Sequence, residues 1–153
     1  MTVEFRLAAR RDVPAVLELL ADDEIARERG FGVVAEEVDA ATWAAFEAID
    51  ADPRNELIVA DDGGAVVGTC QLTFIPGLSR GGAERMTIEA VRVGADLRGQ
   101  GLGRQMMEWA LRRARERGCR MAQLTTDKRR TGAHRFYASL GFVASHEGMK
   151  LTL

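Results

Sequence analysis

The chain has 153 residues, 46% of them hydrophobic and 29% charged, with a formal net charge of −2. That suits one globular domain, residues 1–153, with a real core. It contains no run long and apolar enough to span a membrane, and MTVEFRLAARRD lacks a signal peptide's apolar stretch, so a cytoplasmic location is expected. Charge is unevenly spread, with −8 over residues 1–60 and +6 over 61–153. The basic half could serve an anionic ligand and the acidic half a cationic one, or both are ordinary solvated surface. Cys70 and Cys119 have no metal-ligand spacing and read as buried free thiols.

Phe5 to Ala8 reads as a first strand. Asp12 is placed to cap a helix, with Pro14 in its first turn and Val16, Leu19 and Leu20 as its apolar stripe. Residues 22–38 are acidic, contain Gly30 and Gly32, and read as a loop or irregular helix. Asp39 can cap a second helix in which Trp43, Phe46 and Ile49 recur at helical spacing and pack inward. A β meander follows: Glu56–Ala60, a turn at Asp61-Asp62-Gly63-Gly64, Ala65–Phe74, a connection marked by Pro76-Gly77 and Gly81-Gly82, then Glu84–Val93. Leu102, Met106, Trp109 and Ala110 mark a helix that stops near Gly118. Met121–Thr125 reads as a strand, 132–139 as a short helix and Phe142–Leu151 as closing strands. The order, roughly β-α-α-β-β-β-α-β-α-β, is an α/β sandwich with a mixed sheet.

Arg98-Gly99-Gln100-Gly101-Leu102-Gly103 lies between a strand and a helix, where backbone N–H groups and the helix start favour an anion. A dinucleotide fingerprint requires G-x-G-x-x-G, but the glycines stand at 99, 101 and 103. A phosphate-binding P-loop ends in Gly-Lys-Ser/Thr, but Gly103 is followed by Arg104-Gln105. Both of those readings fail.

With Val91-Arg92-Val93 before it, Arg98, Gly101 and Gly103 match Arg/Gln-x-x-Gly-x-Gly/Ala, and Ala133 to Phe142 contains A-x-x-F-Y-x-x-x-G-F. Together these motifs resemble the GNAT superfamily of acetyl-CoA-dependent N-acetyltransferases. The resemblance implies a mostly antiparallel mixed sheet with flanking helices, whose fourth and fifth strands splay around the cofactor. It implies pantetheine along Val91, Arg92 and Val93, and pyrophosphate on Arg98, Gly99, Gln100, Gly101, Leu102, Gly103 and Arg104. Arg98 and Arg104 would add charge-assisted hydrogen bonds, although Arg104 alone also reads as a solvated helix residue. Where many members carry an Asn that reaches pantetheine, this chain has Arg130, within Lys128-Arg129-Arg130. That cluster would hold a ribose phosphate or an anionic part of the substrate, or form a solvated turn.

Acetyl transfer needs a deprotonated amine, a stabilised oxyanion and a proton for the departing thiolate. Tyr137, the only tyrosine in the chain, matches the family's general acid. A phenol with a pKa near ~10 is protonated at neutral pH. Glu89 matches the family's carboxylate base, acting directly or through water. Strand alternation puts it on the same face as Val91 and Val93. The Val93 N–H would hold the oxyanion. His134 and His146 have no partners at ligand spacing, and no metal is expected. The expected activity is acetyl transfer to a small-molecule amine by direct attack in a ternary complex. Alternatives are a protein or peptide amine, or a non-catalytic acyl-CoA sensor. Neither nucleic acid nor membrane is an expected partner, while a homodimer fits the family.

Overall fold

The computed structural model describes residues 2–22 and 37–153. The loop expected at 22–38 therefore lies almost wholly outside the described residues. Five strands form one sheet in chain order: β1 (Val3–Leu7), β2 (Asn55–Asp62), β3 (Ala65–Ile75), β4 (Arg85–Val93) and β5 (Met121–Leu124). Neighbours are antiparallel except β4 and β5, which are parallel. The β2–β3 hairpin turns at Gly63 and Gly64, at φ 60° and 100°. Only glycine takes two such angles in succession without strain. Asp61 Oδ1 closes the turn by accepting from the Gly64 N–H at 2.7 Å.

Strand alternation gives the sheet two faces. Ile58, Cys70, Leu72, Phe74, Met86 and Ile88 point to one face. There they meet Met106, Met107, Ala110 and Ala114 of helix α3 (Leu102–Arg117). Phe136, Tyr137 and Leu140, from α4 (Thr131–Ser139) and its end, pack against the same cluster. Val59 points to the other face, against Val13 and Val16 of α1 (Val13–Ala21) and Phe46 of α2 (Ala40–Ala51). Burying each such side chain contributes roughly 1.5–3 kcal/mol. Trp43 packs on that second cluster, as expected, under the Arg10 guanidinium 4.0 Å from its ring centroid.

Two helix-start expectations come out differently. Asp39 caps α2 by accepting from the Thr42 N–H at 2.7 Å. Asp12 does not cap α1 with its side chain. Its carboxylate instead turns back, accepting from the Ala9 N–H at 2.7 Å and from Arg6 Nη1 and Nη2 at 2.7 and 3.0 Å. Arg6 also donates to Asp61 at 3.0 Å, joining β1, β2 and the start of α1. The charged partner wins because a buried carboxylate gains more from a guanidinium than from a second amide.

The closing strands expected over Phe142–Leu151 are absent. After α4 the chain turns at Gly141, at φ 98°, and continues with no assigned strand. Met149, Leu151 and Leu153 are exposed. Their period of two is a strand's, but a strand needs a neighbour to complete its ladder, and none is present among the described residues.

Asp12→Asn should destabilise the fold by about 1.5–3 kcal/mol, read by urea unfolding at pH 7. The Arg6 guanidinium, then the Ala9 N–H, hold this carboxyl below its ordinary range. Its contribution is therefore complete above the unfolded value near ~3.9 and is lost as pH falls through the lower folded value. The gap between wild type and variant should close on acidification. A gap constant down to pH ~2 would contradict this account.

Candidate active site

The β4–β5 ladder is only four residues long, from Arg85↔Met121 to Ile88↔Leu124. Beyond Ile88, the β5-side edge of β4 has no strand partner among the described residues. The expected splay is thus present, and it exposes the stretch from Glu89 to Val93, which includes Val91 and Arg92. Unpaired strand edges are where an extended amide-bearing ligand adds on.

β4 carries a bulge at this point. Gln71 pairs with Glu89 and Thr69 with Arg92, so Ala90 and Val91 together oppose Cys70. Ala90 sits at φ 54°, an uncommon angle for a residue with a Cβ. The extra residue reverses the alternation. Ile88, Val91 and Val93 all lie with the α3-side core. Glu89 faces the opposite way and is exposed. The sequence expectation that Glu89 shares a face with Val91 and Val93 is therefore wrong, and the bulge is the reason. Among the described residues Glu89 has no hydrogen-bond or ion-pair partner. On its face lie Gln71, Thr73, Asn55 and, through β5, Gln123, joined as Thr73 to Asn55 at 2.8 Å and Gln123 to Thr87 at 3.1 Å.

The glycine-rich loop leaves β4 through a short 3-10 turn, Ala95–Leu97, and enters α3 at Gly101. Gly99 and Gly101 adopt φ 81° and 84°. The Gln105 N–H donates to Gly101 O at 3.1 Å, so the amides of Leu102, Gly103 and Arg104 precede the helix's own acceptors. Leu102 buries its side chain in the core and anchors the loop. A Cβ on Gly103 would meet Phe136 Cζ at 3.6 Å and Val93 Cγ2 at 3.7 Å, ordinary contact distances. Arg104 donates to Ser139 Oγ at 2.9 Å, tying α3 to α4. Arg98 is exposed and donates to Val93 O at 3.4 Å and Asp22 O at 3.3 Å, while Gln100 donates to Asp96 O at 3.2 Å.

Tyr137 is half-buried on α4 between Phe136 and Phe142, with ring centroids 5.2 and 5.8 Å away. Burial raises its pKa above the ordinary phenol value, and the charges of Arg92 and Arg130 oppose that rise. Within the basic cluster, Arg129 pairs with Asp127 at 3.0 Å and the Arg130 N–H donates to Asp127 O at 2.9 Å. His134 and His146 are exposed and sit beside Asp127 O and Ser145. Among the described residues no cluster suits a metal. Both cysteines are free, Cys70 fully buried and Cys119 half-buried.

The sequence matches the acetyltransferase (GNAT) family over residues 14–142. The chain belongs to that family. Solved relatives superpose on nearly all of the chain. One is a Bacillus halodurans C-125 protein described as a transcriptional regulator, 45% identical with TM-score 0.94 over 99% of this chain and 100% of that one. Another is a Trypanosoma brucei acetyltransferase, 27% identical with TM-score 0.80 over 99% and 100%. A 50-residue stretch, 33% of this chain, is 42% identical to an aminoalkylphosphonate N-acetyltransferase of Salmonella typhimurium. That match spans about a third, 32%, of the relative's length.

Two glycine substitutions should separate loop geometry from ligand approach. Gly101→Ala places a Cβ at positive φ and should cost about 1–2 kcal/mol in thermal unfolding. Gly103→Ala sits inside the helix with ordinary contacts and should keep or slightly raise stability. If the Gly103 backbone lies against a phosphate, it should still weaken CoA binding by calorimetry. Full CoA affinity in the Gly103 variant would take that residue out of the binding surface.

Proposed function

We propose that the chain is an acetyl-CoA-dependent N-acetyltransferase acting on a small-molecule amine. The observation that carries this reading is the release of β4 from β5, with a protonated phenol on one side of the gap and a free carboxylate, Glu89, on the other. The donor fits these residues. The unpaired edge at Val91, Arg92 and Val93 suits the pantetheine amides. The amides from Gly99 to Arg104, with Arg98 and Arg104, suit the pyrophosphate. In this reading Arg130 takes the cofactor's ribose phosphate. The Salmonella relative's substrate, an amine on a small phosphonate, supports a small-molecule acceptor over a protein one.

In this reading Glu89 takes a proton from the acceptor ammonium, directly or through one water. The freed nitrogen attacks the thioester carbonyl in a ternary complex. The Val93 N–H stabilises the oxyanion. The C–N bond forms, the C–S bond breaks, and Tyr137 gives its proton to the departing thiolate.

The chain contains no helix among its described residues long and apolar enough to cross a membrane. Two free thiols suit a reducing, cytoplasmic setting. The exposed Met149, Leu151 and Leu153 support strand pairing with a second copy. Sedimentation should then give twice the 16.7 kDa chain mass, and deleting residues 149–153 should return it to one.

A second reading is favoured by the 45% identical relative described as a regulator: an acyl-CoA-binding module without turnover. One assay separates the two. Thiol release from acetyl-CoA with a panel of small amines supports the enzyme, whereas tight CoA binding with no release supports the module. Tyr137→Phe should lower the rate by roughly 10²-fold or more with CoA affinity retained. Because burial pushes the phenol above ~10, the rate should show no loss from Tyr137 until the pH exceeds that value. An unchanged rate in the variant removes Tyr137 from the mechanism.

A further inference from the structure

The sheet face that carries Glu89 divides into two parts. One part is apolar, where Leu57, Val59 and Val66 pack under α1 and α2. The other is a row of neutral hydrogen-bonding side chains, one from each of four strands. Asn55 pairs with Thr73, Thr73 with Thr87, and Thr87 with Gln123. Residues paired in register share a face, with Cβ atoms roughly 4.5–5.5 Å apart. All four are half-buried, so each keeps part of its surface open.

The hydrogen bonds along this row run in fixed directions. The Arg54 N–H and the Asn55 side chain hold Asp52 below the ordinary carboxylate range, so Asp52 only accepts. Asn55 therefore turns its Nδ2 to Asp52, at 2.9 Å, and its Oδ1 toward Thr73. Thr73 Oγ donates its one proton to that oxygen at 2.8 Å and keeps only lone pairs. At the other end of the row, Gln123 Nε2 donates to Thr87 Oγ at 3.1 Å. Thr87 keeps its own proton, which reaches no acceptor among the described residues. The middle of the row thus presents an acceptor on β3 and a donor on β4 to the space between them.

A hydroxyl answers both groups, since it donates to one oxygen and accepts from the other. We propose that the acceptor is a hydroxylated amine, its hydroxyl seated between Thr73 and Thr87 and its ammonium at Glu89. This rests on the N-acetyltransferase reading above and names the substrate class of that same site. Glu89 lies two residues beyond Thr87 on a stretch of unbroken register, because the bulge begins only at Ala90. It therefore shares the face of Thr87 at roughly 7 Å along the strand, a span that about four carbons between nitrogen and hydroxyl would cover. An ammonium in the hydroxyl's place could not accept from Thr87, and a carboxylate could not donate to Thr73.

Pairs of amines that exchange a hydroxyl for a methyl test this with acetyl-CoA. 4-Amino-1-butanol should exceed pentylamine in kcat/KM by on the order of 10-fold. Ethanolamine, whose hydroxyl is too near its nitrogen to reach the row, should gain no such advantage over propylamine. Thr73→Val and Thr87→Val keep the β-branched shape that a strand accepts. Each should bring the ratio of 4-amino-1-butanol to pentylamine toward one, and Thr87→Ser should keep most of it. Damage to the fold alone would lower both amines alike and leave their ratio as it was. Equal rates for the long pair, an equal gain in the short pair, or a ratio that survives both valine substitutions would overturn the inference and leave the N-acetyltransferase reading standing. CoA binding with no amine acetylated would remove both.

Discussion

A strand offers its backbone to a ligand only where its neighbouring strand lets go, and β4 is built around that condition. Its first half pairs on both sides, with β3 and with the four residues of β5. Met86 and Ile88 of that half are in the core. Among the described residues its second half pairs only with β3. The unpaired edge would be a liability without something to hold it open. Two links do so from the α3 side. The start of α3 at Gly103 lies against Phe136 and Val93, close enough that an added Cβ would make ordinary contact with both. Arg104 donates to Ser139 at the end of α4. The loop suited to a pyrophosphate and the helix carrying Tyr137 are therefore one packed unit. A shift in either moves the other.

The bulge solves a second problem on the same strand. The gap needs apolar side chains behind it and a polar group in front of it, but a regular strand alternates without exception. Inserting Ala90 resets the phase. Before it, Met86 and Ile88 face the α3-side core; after it, Val91 and Val93 do. Glu89 is left on the far face with no ion-pair partner among the described residues. Keeping an alanine at positive φ costs of order 1–3 kcal/mol. Such strain persists where the surrounding pairing overdetermines it, here the fixed registers on both sides of Cys70.

Much of this was legible from the residues. Gly99 and Gly101 in the loop and the paired glycines at 63 and 64 each impose a local geometry that tertiary context does not overrule. The bulge also left a trace. The apolar positions of β4 are even up to Ile88 and odd from Val91, and one inserted residue is the simplest cause of that phase change. Reading straight alternation through it placed Glu89 on the wrong face. Asp12 was misread for a different reason. Its local pattern is a helix cap's, but its partner, Arg6, lies on a neighbouring strand, and position alone does not rank a guanidinium against an amide. The tail strand failed differently again. Met149, Leu151 and Leu153 have a strand's periodicity, but periodicity specifies a face and not the neighbour that must complete the ladder.

The choice between direct transfer and an acetylated protein intermediate also turns on burial. Cys70 lies opposite the bulge, on the strand beside the proposed thioester site. Burial pushes its thiol up to about 12, leaving almost no thiolate at neutral pH. Cys119 follows the far end of α3, a helix of 16 residues and hence about 24 Å from the loop. Burial raises its thiol as well. Neither sulfur is prepared to accept an acetyl group. In the proposed reaction the acting group is Glu89, exposed and without a partner among the described residues, and a carboxylate there serves better by taking a proton than by forming a mixed anhydride that water would open. The proposed direct attack by the amine rests on what the fold withholds from the gap as much as on what it places there.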